Sequence, residues 1–304
     1  MTGTRPQTPA ILLKGVKKTY GNFELGPVDL RIESGCIVAV VGPNGGGKST
    51  LFGILMNLIQ PDSGEVSLFG LAYPEDEVEI KRKVGYVPER PIGHDEMSSR
   101  ALGEFFSYWY PRWDQRLYEG LLRRYEVDPD KRFGKLSKGM QRRLSFALAL
   151  ATGSELLLLD EPTAGVDPFA RTEMLEDLSR FAEPGGHDDD RTVVFATQVV
   201  EEARHIADHM ILVADGEFLG PYEKDALLDG WKTFWVDREP EGLIPGVVEV
   251  DGRKPTRLIT DSPHETAEAL SAQSVRMVRK ASVDLEEILS HLMHRSKAER
   301  TAQR

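Results

Sequence analysis

Apolar positions along this chain change their spacing several times, and each change marks an element. Residues 11–16 and 23–32 alternate apolar with polar side chains, the period-2 pattern of half-buried strands, with turns expected at Gly21-Asn22 and Gly26-Pro27. Residues 36–41 form a continuous, β-branched run, which predicts a strand buried on both faces under helices. Cys36 reads as a small buried residue of that strand. A glycine-rich stretch follows, then helical spacing over 48–58, a turn at 61–64, and short strands at 65–69 and 84–87.

From about residue 89 to 152 the spacing is helical. Ser98 or Ser99 can cap a first helix, Pro111 interrupts, and helices are expected over 113–124 and 138–151. Buried strands return at 156–159, 192–196 and 210–213, with a helix over 201–207. This alternation predicts an α/β domain over 10–220 with a helical insert. Beyond it, strands at 231–236, 247–250, 257–260 and 275–279 and helices at 264–272 and 284–293 predict a small α+β extension over 221–293. Residues 1–9 read as a flexible tail and 294–304 as a frayed basic one. The acidic stretches 75–79 and 188–190 read as solvated loops.

Composition narrows the function. The 304 residues carry 38 Lys plus Arg against 49 Asp plus Glu, a net charge of −11, which counts against a general binder of nucleic acid or anionic membrane. The single cysteine excludes an internal disulfide framework and a Cys-rich zinc site. No stretch approaches the roughly 20 apolar residues of a membrane span, and the first ten residues lack the apolar core of a signal peptide. His205 and His209 stand four apart on a possible helix, but no further metal ligand accompanies them.

Gly42-Pro43-Asn44-Gly45-Gly46-Gly47-Lys48-Ser49 fits the pattern G-x-x-x-x-G-K-[ST], with an apolar strand before it and a helix after it. Glycines let the backbone wrap with its N–H groups facing phosphate oxygens, and the helix start, including Thr50, adds its positive dipole end. The Lys48 ammonium would reach the β and γ phosphates, and the Ser49 hydroxyl would bind Mg²⁺. Asp160-Glu161 follows four leucines, 156–159. There Asp160 would hold Mg²⁺, and Glu161 would orient or deprotonate the attacking water. The plainer alternative for this pair is a helix N-terminus with favourable acids.

Together with Leu136-Ser137-Lys138-Gly139-Met140, these motifs resemble, over about residues 10–220, the ATP-binding subunit of ABC transporters. The resemblance implies a P-loop sheet core with a helical subdomain over about 89–152, ATP and Mg²⁺ as ligands, and hydrolysis of the β–γ bond. It places Tyr20 where an aromatic stacks on adenine, Glu89 at the Q-loop near Mg²⁺, Asp167 at the D-loop, and Gln198 at the switch position. Ser137 can cap a helix whose start, with Lys138 and Gly139, forms an anion site. In the family that site closes over ATP on the opposite subunit. One cradle and one signature thus imply dimerisation, with the same or a different chain, and transmembrane permease subunits as partners at the cytoplasmic face of the cell membrane. The L-S-K-G-M signature, Glu89 and residues 284–289 are similar to multidrug and antibiotic exporters of the ABC-2 type.

Several positions depart from the family pattern or read two ways. Gln198 replaces a histidine. Its amide donates a hydrogen bond but carries no imidazole proton, so hydrolysis is expected to be slow, unless Glu161 and Mg²⁺ suffice. Glu89 approaches Mg²⁺ or is a solvated carboxylate, and Tyr20 stacks on adenine or packs in the strand core. The aromatic run 105–113 is either helical core or a groove for a short cytoplasmic helix of a membrane partner. Two other functions stay open: a nucleotide-gated regulatory module with little hydrolysis, and a soluble ABC-type ATPase outside transport.

Overall fold

A computed structural model describes residues 8–91, 93–183 and 190–303. The chain divides after Pro221 into two compact units. The first begins with β1 (Ile11–Tyr20), β2 (Phe23–Ile32), β3 (Ile37–Val41) and α1 (Lys48–Leu55). It continues through β4 (Ser63–Leu68), β5 (Leu71–Ala72), α2 (Glu77–Lys83), β6 (Val84–Val87), α3 (Ser99–Trp109), α4 (Gln115–Arg124) and α5 (Lys138–Ala151). It ends with β7 (Leu156–Asp160), α6 (Pro168–Ala182), β8 (Thr192–Thr197), α7 (Val200–Ile206), β9 (His209–Ala214) and β10 (Glu217–Glu223), whose last two residues fall past the division.

The apolar runs form the central sheet, in the order β10-β9-β3-β8-β7-β6. Every residue of β3, β7 and β8 is buried, as expected of parallel strands covered on both faces. Register brings three strand ends to one edge. Val41 pairs with Thr197, and Ala196 pairs with Asp160, so the segments leaving β3, β7 and β8 emerge side by side. This is the carboxyl edge where open α/β sheets bind ligands. The alternating strands form a separate antiparallel sheet, β2-β1-β4-β5. Its apolar face joins β3 and α1 in one core through Leu13, Leu25, Val40 and Phe52.

Between β6 and β7 lie the three expected helices. Ser98 caps α3, its hydroxyl accepting from the Ala101 N–H at 3.2 Å, and Asp114 caps α4, accepting from Leu117 at 2.9 Å. Tyr118 and Tyr125 are fully buried among them.

The second unit holds α8 (Lys224–Gly230), β11 (Lys232–Val236), β12 (Val247–Asp251), β13 (Thr256–Thr260), α9 (Pro263–Ala272), β14 (Met277–Ser282) and α10 (Leu285–Gln303). Its antiparallel sheet runs β12-β13-β11-β14, and Phe234, Val236, Leu258, Leu270 and Val275 make its own core. Glu249, Glu287 and His291 cluster here, but Arg257 already supplies their cation, 2.6 Å from Glu287 and 3.8 Å from Glu249.

Several expectations are corrected. The acidic residues Glu77 and Glu79 open α2 rather than lie in a loop, because acids in its first turn and Lys81, Arg82 and Lys83 in its last complement the helix dipole. Helix α6 was not anticipated, although Asp167 caps it and Pro168 starts it. Helix α1 stops at Leu55, three residues short of the expected end. Cys36 precedes β3 and is half-buried, and burial raises its thiol to about 11. His205 belongs to α7 and His209 starts β9, so they do not share a helix. Helix α10 runs on through the residues expected to fray. The flexible tail at 1–9 falls outside the described residues up to position 7, as do 188 and 189 of the second acidic stretch.

Candidate functional site

The glycine-rich turn leaves β3 at Val41 and enters α1 at Lys48. Gly42 is required by space: a Cβ there would collide with the Val213 carbonyl of β9. Gly47 is required by conformation, with φ at 113°. Its residue type offers no side-chain cap, so the first N–H groups of α1 are free of side-chain partners and open to an anion. Phe23, Pro43, Asn44, Gly45, Gly47, Lys48, Ser49, Thr50, Glu89 and Glu161 line a cavity of about 320 Å³ in front of this turn.

Lys48 is nearly buried. Its ammonium donates to the carbonyls of Gly42 at 2.7 Å and Pro43 at 3.2 Å and lies 3.2 Å from Glu161 Oε1. Glu161 sits just past β7 in a left-handed conformation, φ 51°, unusual for a residue with a side chain. Its N–H donates to the Ala196 carbonyl at 3.1 Å, which holds the turn against β8. Burial raises the Glu161 carboxyl above its ordinary value of 4.5; Lys48 and the main-chain N–H of Gln198 pull the other way. Asp160 is 1% exposed, and burial raises its carboxyl, against a hydrogen bond from Ser49. Asp160 Oδ1 has no hydrogen-bond partner. A buried carboxylate oxygen left unpaired beside a serine hydroxyl is an oxygen donor set that fits Mg²⁺.

Residues 25–164 match the ABC transporter family. The chain is also 31% identical over 295 residues to daunorubicin resistance ATP-binding protein DrrA3 of Streptomyces coeruleorubidus, covering 92% of this chain and 91% of that one. This chain belongs to the ATP-binding subunits of ABC transporters. It is 30% identical to Nod factor export ATP-binding protein I of Rhizobium sp. (strain N33), over 83% of this chain and 79% of that relative. Among solved structures, it resembles a dimeric post-hydrolysis state of the ATP-binding cassette MJ0796 bound to ADP and Pi. That likeness has a TM-score of 0.61 and 27% identity, over 70% of this chain and 98% of the other. The structure of an ATP-binding subunit of an ABC transporter shares the fold with a TM-score of 0.64 and 24% identity, over 72% of this chain and 92% of the other. The subunit is an ABC-type ATPase.

The remaining ABC motifs lie away from the cavity within one chain. The Ser137 hydroxyl caps α5, accepting from the Met140 N–H at 3.3 Å, and Ser137 and Lys138 are exposed. Asp167 caps α6, accepting from Ala170 at 3.1 Å, and is ion-paired with Arg143 of α5. Neither they nor Gly139 line the cavity. Gln198 is exposed, and it is its main-chain N–H that lowers the Glu161 carboxyl. Tyr20 is not strand core; it is 45% exposed at the end of β1 with the Lys18 ammonium over its ring.

Two residues escaped the sequence reading. Phe23 lines the cavity, facing Tyr20 across the β1–β2 turn; its signal was a second aromatic beside Gly21-Asn22. Arg142 reaches from α5 to the carbonyls of Glu161 and Glu89, the latter at 2.6 Å. Only its place one turn into the signature helix hinted at it. The aromatic run divides: Phe105 and Trp109 are exposed on α3, and with Phe106, Tyr110, Val78, Lys81 and Arg82 they line a largely apolar groove between α3 and α2.

Proposed function

We propose that this subunit binds ATP with Mg²⁺ at the β3–α1 turn and hydrolyses it to drive export through separate membrane-spanning subunits. The observation that carries this reading is the convergence of Lys48, Ser49, Glu89 and Glu161 on one cavity at the start of α1. The backbone from Gly42 to Thr50 would wrap the phosphates. Ser49, Asp160 and Glu89 would hold Mg²⁺, which supplies charge neutralisation at the β and γ oxygens.

Lys48 then has two possible partners. Its ammonium now sits against Glu161. Phosphate oxygens entering the cavity compete for it, and Glu161 loses the neighbour that lowers its carboxyl. A carboxylate relieved of its cation is a stronger base. Glu161 would take a proton from water as its oxygen bonds to the γ-phosphorus. The bond from that phosphorus to the β–γ bridging oxygen breaks, and ADP leaves with the electron pair. Gln198 would steady Glu161 through its N–H.

Ser137, Lys138, Gly139 and Asp167 are read as contacts to ATP held by a second subunit, identical or different. The exposure of Ser137, Lys138 and Asp167, and the place of all four away from their own chain's cavity, support this. Tyr20 and Phe23 are both offered to the adenine. Residues 10–220 are read as the nucleotide-binding domain, with the helical subdomain over about 89–152 and the extension from 221. Among the described residues no helix is long and apolar enough to cross a membrane. The groove between α2 and α3 would take a short helix of a permease at the cytoplasmic face of the cell membrane, since large exposed aromatics suit such anchoring. Export rests on the relatives named for daunorubicin resistance and Nod factor export.

Labelled ATP binding to the full chain tests the core of this reading. Wild-type protein should bind in the presence of Mg²⁺, and Lys48→Ala should weaken binding by roughly 100-fold, as for loss of a charge-assisted phosphate contact. Equal uptake by both proteins would refute it.

A further inference from the structure

We propose that Arg142 is a positioning residue for hydrolysis: its guanidinium fixes the main chain of Glu161 and of Glu89 together, so that both carboxylates face the cavity only while α5 is in place. This rests on the catalytic reading of Glu161. Three observations carry it. One guanidinium serves both segments, Nη1 donating to the Glu161 carbonyl and Nη2 to the Glu89 carbonyl at 2.6 Å. The Glu161 main chain is held at φ 51°, a conformation that persists only where its surroundings enforce it. Arg142 is carried on the helix that Ser137 caps, five residues from the cap.

The arrangement links three parts of the site. Glu89 follows β6 and Glu161 follows β7, so the two segments leave neighbouring strands at the same sheet edge. No hydrogen bond joins the two segments directly among the described residues. Arg142 bridges them with the planar fork of its side chain, which presents two donors in fixed geometry. Burial works against the charge of Arg142, while Glu161, Glu89 and Asp160 favour it. The site thus uses a half-buried cation to hold two carbonyls rather than to neutralise one acid. Withdrawal of α5 would remove both bonds at once and leave the Glu161 turn with only its main-chain bonds to Ala196 and Ala164, at 3.1 and 3.2 Å. Placement of the signature helix would in this way set the geometry of the base in its own chain.

The test uses the full chain with ATP and Mg²⁺. Arg142→Ala should lower kcat roughly 10–100-fold, as for two charge-assisted hydrogen bonds, with ATP affinity within about twofold. Arg142→Lys keeps the charge and the helix but reaches one carbonyl at a time, so it should fall between and stands in if the alanine variant does not fold. Millimolar guanidinium should restore part of the alanine variant's turnover, and an equal concentration of methylammonium should not. Amide exchange should speed up at Glu89 and Arg90 and at residues 161 and 163–166 together; this readout needs no turnover. Unchanged kcat, parallel loss of affinity, no guanidinium gain, or faster exchange in one segment alone would overturn the inference. Glu161→Gln separates the two readings. If it keeps full turnover, the role of Glu161 fails. If it loses turnover while both Arg142 variants keep it, only the role of Arg142 fails.

Discussion

Lys48 Nζ lies 3.2 Å from Glu161 Oε1, with side-chain exposures of 5% and 10%. Two motifs more than a hundred residues apart in the chain are therefore one ion pair in the fold. Because burial raises Glu161 above 4.5, its carboxylate loses its charge at a higher pH than a free glutamate. Glu161→Gln is expected to lower turnover about 10²–10⁴-fold while ATP still binds. In the wild type, turnover should fall as pH drops through a value above 4.5, and a pH–rate profile checks it.

Asp160 gives a stability prediction of definite sign. Its folded carboxyl is raised above the ordinary 3.8, chiefly by burial. The folded chain therefore holds this proton more tightly than the unfolded chain. The resulting stability is fully present below pH 3.8 and is lost as pH rises through the raised value. Asp160→Asn carries no charge at any pH. Without divalent cations it should raise Tm at pH 7, and the gain should shrink as pH falls toward 4. Hydrolysis should be lost despite the gain.

The main-chain N–H of Gln198 pulls the Glu161 carboxyl down, and any residue except proline keeps that N–H. Gln198→Ala should therefore keep turnover within about tenfold of wild type, the worth of one neutral side-chain hydrogen bond. Gln198→His adds a group that can carry a proton and should raise turnover. Steady-state phosphate release compares the three proteins; equal rates would show that the side chain is idle.

Glu202 is buried in α7 and ties the loop after β7 to the end of β8. Its carboxylate accepts from the Thr163 hydroxyl at 2.6 Å and the Thr197 hydroxyl at 2.7 Å, and Arg171 Nε lies 3.5 Å away. Glu202→Ala leaves both hydroxyls and the guanidinium short of a partner, and should cost about 3 kcal/mol in denaturant unfolding. Glu202→Gln, which keeps an acceptor, should cost less.

Trp109 is 57% exposed beside Phe105 in the α2–α3 groove. Joint replacement by alanine should leave Tm and ATP binding unchanged, since neither residue supports the core or the cavity. Co-purification with a membrane-spanning partner should be lost. Retained co-purification would remove the groove from the docking surface.

How much was legible depended on whether the signal was local. The phosphate turn could be read because strand, glycines, Lys48 and Ser49 are consecutive, and α1 must follow from them. Asp160-Glu161 was legible because a run of leucines predicts a buried strand, and a strand end predicts the carboxyl edge. Helix α6 carried an Asp-Pro start signal, since Asp167 caps it and Pro168 opens it. Phe23 and Tyr20 were interchangeable by sequence, since both flank one hairpin turn. Their exposures and the cavity distinguish them.

The sequence by itself determined most of the strands, the glycine-rich turn and the chemistry of its residues, because backbone conformation and side-chain type act over a few neighbouring positions. Only the tertiary structure decided the partnerships: Lys48 with Glu161, Arg142 with two carbonyls, and Glu202 with two threonines. Those depend on strand order and register, which bring distant segments to one edge of a sheet, and no local pattern encodes which segment arrives opposite which.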